Sequence, residues 1–179
     1  LIRPTRGDAL VFGRPSGDPG IRARLGYLPG ELSLDGRMTG EQTLNFLSAL
    51  HFGRSGQPSR RVELCQRLGL SAEDLRRKVR EYSRGMKQKL GLVSDFQHEP
   101  ELLILDEPTT GLDPVFRREL LHGLSDLLQD EKKSVLFSTH ITTDLERIAD
   151  YVTFLQDGRV VLSASREELS EKWGVIRGD

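Results

Sequence analysis

The sequence predicts an α/β fold: a mostly parallel sheet flanked by helices, with a helical block inserted before its best-marked strand. Three observations carry this. Residues 102–105 are Leu-Leu-Ile-Leu, a short apolar run that suits a strand buried on both faces of a parallel sheet. Residues 134–138, Ser-Val-Leu-Phe-Ser, read as a second such strand. Between them Phe116, Leu120, Leu121, Leu124, Leu127 and Leu128 recur at helical spacing, so strand, helix and strand form one βαβ unit.

The remaining elements follow from local signals. Residues 8–12 read as a short strand and residues 21–28 as a longer one. Thr39 with Gln42 three residues on is a capping-box pattern, and Leu44, Phe46, Leu47 and Leu50 continue the helix. A second helix is expected from about residue 59 to 67, after a polar, glycine-bearing loop. Ser71 with Asp74 starts a short third. Ser83 is a natural N-cap for a helix running to about His98. Beyond the second buried strand, residues 143–149 read as a short helix. Asp157-Gly158 is a hairpin turn signal between two strands, and Ser165 with Glu168 caps a last helix ending near Trp173.

The apolar run at 102–105 ends in two adjacent carboxylates, Asp106 and Glu107. Open α/β sheets bind ligands beyond the carboxyl ends of their strands, where these two lie. One carboxylate can serve a Mg²⁺ ion through its waters, and the other can polarise a water for attack on a phosphoryl group. The plainer reading of a bare Asp-Glu is a pair of solvated charges. Pro108 stops the strand, and Asp113 with Pro114 then offers an N-cap and a first helical residue. The second strand ends in Thr139-His140, so His140 joins the carboxylates at the strand ends of one βαβ unit. Upstream, Ser83 and Gly85 open a helix whose free N–H groups make a ready anion site. Many helices begin this way without a ligand.

The order YSRGMKQ, LLILDEP, TGLD and STH resembles the ATP-binding subunit of an ABC transporter, over about residues 1–169. The resemblance implies a P-loop NTPase-like ABC ATPase core with a helical subdomain, and ATP and Mg²⁺ as cofactors. It implies that the signature, with Ser83, Arg84, Gly85, Met86 and Gln88, contacts the γ-phosphate of ATP held by the opposite subunit. Asp106 is similar to the Mg²⁺-side Walker B carboxylate and Glu107 to the general base. Asp113 resembles the D-loop aspartate that crosses the dimer interface, and His140 the switch histidine. On this resemblance residues 1–38 are a remnant of the ATPase core with the Q-loop region. Residues 39–99 are the helical subdomain and signature helix, and residues 100–179 return to the core.

Two departures from the family pattern bear on mechanism. The first is that no G-x-x-x-x-G-K-[ST] phosphate loop stands in these 179 residues, and none of the six lysines follows a glycine. The expectation is a subunit without its N-terminal Walker A region, inactive alone. The second is Gly30, which stands where the Q-loop has glutamine, with Glu31 next. Glycine has no side-chain ligand, so Glu31 or a backbone carbonyl would serve, or the segment is a polar turn without a ligand role. Arg84 also departs, standing where the commonest signature has glycine. A basic residue there is similar to exporters whose membrane domain is a separate polypeptide.

Composition agrees with a cytosolic globular protein. Basic and acidic residues nearly balance, 26 against 27, which gives no bias towards nucleic acid or an anionic membrane. The basic cluster at Arg76, Arg77, Lys78 and Arg80 is flanked by Glu73, Asp74 and Glu81 and reads as a solvated helix face. A single cysteine, Cys65, excludes an internal disulfide and reads as a small apolar packer. His51, His98 and His122 read as surface residues. No signal-peptide pattern and no membrane-length apolar stretch appear, so direct membrane insertion is not expected. The expected partners are a second ATP-binding subunit and a transmembrane permease subunit, with the protein held at the inner face of the cell membrane. The competing expectation is a non-catalytic ABC-like interaction module that has lost ATP use. Glu107 and His140 argue against it, since such a module needs neither. A DNA-repair or translation protein of the same family would need a long coiled-coil insertion or tandem cassettes.

Overall fold

A computed structural model of the chain describes residues 5–52 and 60–172. Its chain falls into two units, Leu1–Ser138 and Thr139–Asp179. The first begins with a small hairpin of β1 (Leu10–Val11) and β2 (Arg14–Pro15), turning through Phe12 and Gly13 at φ of 52° and 72°. That turn shortens the strand expected over residues 8–12. α1 (Pro19–Arg22) follows, then β3 (Leu25–Leu28). The sequence pattern suggests one strand over residues 21–28, and the structure corrects this. Asp18 accepts the Gly20 N–H at 2.8 Å with Pro19 next in line, so cap chemistry starts a helical turn and delays the strand to Leu25.

The helical block comprises α2 (Gly40–Phe52), α3 (Arg61–Arg67), α4 (Ala72–Arg76), a 3-10 turn at Val79–Glu81 and α5 (Arg84–Phe96). Both expected capping boxes form. The Thr39 N–H donates to Gln42 Oε1 at 2.9 Å while the Gln42 N–H donates to Thr39 Oγ1 at 3.1 Å, and Ser71 and Asp74 exchange the same pair. Arg61 ties three helices together. Its guanidinium donates to Asn45 Oδ1 and the Leu44 carbonyl on α2, and to Gln97 Oε1 just beyond α5. Arg77 lies within 3.6 Å of Asp74 and 3.9 Å of Glu81, the solvated charge pairing expected of that cluster.

β4 (Leu102–Asp106), α6 (Pro114–Leu127) and β5 (Ser134–Ser138) complete the first unit. The sheet order is β3-β4-β5, all parallel, and the register sets Leu28 beside Leu105 beside Phe137, and Asp106 beside Ser138. Side chains alternate across a strand, so Leu28, Leu103, Leu105, Val135 and Phe137 share one face. They join Leu90, Leu92 and Val93 of α5 and Leu120 and Leu124 of α6 in one core. The opposite face carries Tyr27, Ile104 and Leu136, with Tyr27 44% and Leu136 61% exposed. Burial of the 102–105 run on both faces, expected from its apolar continuity, is therefore met on one face only. The helices of this unit cover that face.

The second unit holds α7 (Thr142–Ile148), β6 (Tyr151–Gln156), β7 (Arg159–Ser165) and α8 (Arg166–Lys172). β6 and β7 pair antiparallel through Asp157 and Gly158 at φ of 50° and 73°, the two-residue turn that suits a hairpin's twist. Ser165 and Glu168 cap α8 reciprocally. Trp173, expected near its end, lies outside the described residues. His122 is exposed as expected, whereas His98 is half-buried with Nε2 3.3 Å from the Leu25 carbonyl oxygen. The His51 side chain falls outside the described residues. Among the described residues no helix is long and apolar enough to cross a membrane.

One half-buried carboxyl yields a pH dependence. Asp95 lies where α5 meets β3, its backbone carbonyl against Gly26, and burial pushes its carboxyl up to about 8. In the unfolded chain the same group titrates near pH 4. Between those values the unfolded chain has released a proton that the folded chain retains, so stability falls as pH rises across that window. Asp95→Asn should raise unfolding stability by about 1–3 kcal/mol at pH 8, with the gain shrinking towards pH 4. Urea denaturation across that range checks it, and a gain independent of pH would contradict it.

Candidate functional site

With Leu103 and Leu105 committed to the core, Asp106 ends β4 exposed to solvent and Glu107 begins the turn beyond it. Glu107 has φ of 47°, the left-handed region that non-glycine residues rarely adopt outside constrained sites. The constraint is visible. Its N–H is shared between the Ser138 carbonyl oxygen and Ser138 Oγ, each at 3.1 Å. Ser138 Oγ donates in turn to Asp106 Oδ1 at 2.7 Å. On the other side the Thr110 hydroxyl donates to Glu107 Oε2 at 2.7 Å, and the Thr110 N–H donates to the Glu107 carbonyl at 3.1 Å. Two carboxylates at the end of one strand are thus held by one serine from the neighbouring strand and one threonine from the following turn.

The turn runs on through Gly111, at φ of 71°, to Asp113. Asp113 Oδ1 accepts from the Val115 and Phe116 N–H groups at 3.1 and 2.9 Å, so one carboxylate oxygen caps α6 as the Asp-Pro pair predicts. Ser83 caps α5 in the same manner, accepting from the Met86 N–H at 3.2 Å. Gly85 has a packing reason beyond any ligand: a Cβ there would lie 2.9 Å from the Phe116 ring. Gly30 has one too, since its Cβ would meet the Asp106 carbonyl oxygen at 3.1 Å.

Of the residues singled out by sequence, the first unit brings two groups together. Gly30, just beyond β3, lies against the Asp106 backbone carbonyl and Glu107 Cβ at the end of β4. Gly30, Glu31, Arg84 and Gln88 also share a cleft of about 320 Å³ with Leu32 and Lys87. Met86 instead packs against the core, and Gln88 is only 5% exposed. His140 is exposed and belongs to the second unit. The sequence places Ser138 in a strand and Phe116 in a helix but marks neither of them, nor Thr110, as part of the site. A polar residue closing a strand parallel to the one ending in Asp106 is the signal that points to Ser138.

The donor set suits Mg²⁺ with a phosphorylated ligand. Among the described residues no three His, Cys, Asp or Glu gather into a metal cage. Mg²⁺ keeps most of its waters and takes one or two carboxylates plus substrate phosphates, which an exposed strand-end Asp106 can serve. Glu107, oriented by Thr110, is the group beside it able to accept a proton from water.

A family model described as ABC transporter matches residues 1–110. An uncharacterized ABC transporter ATP-binding protein of Nostoc is 37% identical over 171 residues, covering 94% of this chain and 51% of its own length. The daunorubicin resistance ATP-binding protein of Streptomyces coeruleorubidus is 35% identical, covering 100% of this chain and 57% of its own. A solved ATP binding subunit of an ABC transporter superposes with a TM-score of 0.81 at 29% identity, over 96% of this chain and 72% of its own. The chain spans about half the length of the curated relatives it matches.

The hydrogen bonds around Glu107 have a measurable worth. Thr110→Val and Ser138→Ala should each lower unfolding free energy by about 1 kcal/mol, the usual net value of such a bond. Urea midpoints test this, and two losses below about 0.3 kcal/mol would mean the site is held by other contacts.

Proposed function

The chain belongs to the ABC transporter family of ATP-binding subunits, and on that footing we propose that it hydrolyses ATP to power export. The observation that carries the proposal is the end of β4. Asp106 serves Mg²⁺ through its waters, and Glu107 takes the proton of the water that attacks the terminal phosphoryl group. Mg²⁺, when bound, neutralises charge on the phosphoryl oxygens. Ser138 and Thr110 hold the two carboxylates in separate poses, which suits separate tasks.

The signature acts across a subunit boundary. Ser83 and Arg84, exposed at the α5 N-terminus, face a nucleotide held by a second subunit, where free N–H groups and a basic side chain favour negative charge, while Gly85, Met86 and Gln88 pack behind them and hold that helix end in place. Asp113 crosses to the partner with the oxygen its cap leaves over, and His140 contacts the γ-phosphate. Two such subunits sandwich ATP, and closing them moves a transmembrane permease to which residues 39–99 dock. The protein then works in the cytoplasm at the inner face of the membrane. Relatives named for daunorubicin resistance, bacitracin transport and fluoroquinolone export support export of drug-like or antibiotic compounds. Gly30 gives the segment after β3 its close approach to Asp106, and Glu31 supplies the side chain that glycine lacks.

Three outcomes test this reading. These 179 residues alone contain no lysine-bearing phosphate loop, so calorimetric titration with Mg-ATP should give no micromolar binding and no turnover. Joined to a G-x-x-x-x-G-K-[ST] segment from a relative, the chain should bind and hydrolyse ATP. In that polypeptide Glu31→Ala should lower turnover about tenfold, some 1.4 kcal/mol of barrier. Binding without any hydrolysis would turn the assignment towards a non-catalytic module, and an unchanged rate in Glu31→Ala would make residues 30–31 a plain turn.

A further inference from the structure

Two neighbouring signature residues, Arg84 and Gly85, both touch the segment that follows Glu107. Gly85 lies flush on Phe116, since an added Cβ would fall 2.9 and 3.1 Å from two ring carbons. Phe116 is itself only 8% exposed, sits in the first turn of α6 and donates its N–H to Asp113 Oδ1. Lys89, one turn along α5 from Gly85, places Nζ 4.4 Å from the Phe116 ring centroid and 3.9 Å from Glu119. The cation over the ring adds to the packing. Arg84 reaches the other end of the same segment. Its guanidinium fills the space beside Gly111, where an added Cβ would lie 2.5 Å from Nη1 and 2.9 Å from Cζ. Gly111 directly follows Thr110, the residue whose hydroxyl holds Glu107.

We propose that Arg84 and Phe116 are positioning residues that brace the signature turn against residues 109–113 and so hold Glu107 in one pose. The idea rests on the functional reading above for its catalytic meaning, but the brace itself is a property of the first unit. It gives the basic residue of this signature a task within its own subunit. A planar guanidinium lies flat along a glycine as a lysine ammonium does not. It also makes Gly85 a packing requirement. Signature and general base then move as one body, so a displacement of α5 reaches Thr110 and Glu107 through contact.

Hydrogen exchange on the 179-residue chain without nucleotide tests the brace directly. The Thr110 and Leu112 amides, bonded to the carbonyls of Glu107 and Thr109, are the reporters, and the β4 amides are the internal control. Arg84→Ala, at an exposed side chain, should speed exchange at both reporters about tenfold and leave β4 unchanged. Phe116→Leu, which keeps an apolar side chain in the core, should do the same. Unchanged reporters in Arg84→Ala, or an equal rise in β4, would overturn the proposal. In the polypeptide joined to a phosphate loop, Phe116→Leu should lower kcat about tenfold with the KM for ATP within about twofold. If that polypeptide never hydrolyses ATP, the functional reading fails, and the exchange result still decides the brace.

Discussion

Everything at the site depends on β4 committing alternate side chains to one core. Leu103 and Leu105 are 1% and 0% exposed, packed against leucines of α5 and α6. Burying each stabilises the fold by roughly 1.5–3 kcal/mol. That burial sets the register of β4 between β3 and β5, because a slip of one residue would turn both leucines out of the core. With the register set, Asp106 must pair with Ser138 and Glu107 must leave the sheet. The carboxylates lie beyond the strand because the leucines before them cannot lie elsewhere.

Glu107 then bends into a left-handed backbone conformation, which costs about 1–3 kcal/mol and persists only where surroundings over-determine it. Ser138 and Thr110 supply that determination with three hydrogen bonds of 3.1 Å or shorter to its backbone and two more of 2.7 Å to the carboxylates. The same turn carries Gly111 and Asp113, and through Phe116 it meets the first turn of α5. Phosphoryl transfer asks little covalent chemistry of a protein and much positioning. A carboxylate fixed by a strained turn, set close to a helix N-terminus, fits that demand.

What was legible in the sequence is what local chemistry decides. The capping boxes at Thr39, Ser71 and Ser165, the caps at Ser83 and Asp113 and the turn at Asp157-Gly158 each rest on residues within four positions of one another. The βαβ unit was legible because its apolar spacing changes period at Asp113. Long-range facts were not. Ser138 meets Asp106 across 32 positions, and Gly85 meets Phe116 across 31, and neither pairing leaves a local mark. Residues 21–24 alternate apolar and basic side chains as a strand does, and the cap at Asp18-Pro19 makes them a helical turn instead. The unbroken apolar run at 102–105 says nothing of which helices cover which face of the sheet. At Gly30 the sequence shows only a missing glutamine side chain, whereas the closeness to Asp106 supplies a steric reason for glycine.

The central claim is that Glu107, held at the end of β4, is the base for ATP hydrolysis. The most direct measurement compares nucleotide binding with turnover for Glu107→Gln in the chain joined to a phosphate loop. Losing a general base costs about 10²–10⁴-fold in rate, while the isosteric amide keeps the shape of the site. Turnover should fall by that factor, with ATP affinity kept and the paired state accumulating. Hydrolysis near the parent rate would contradict it.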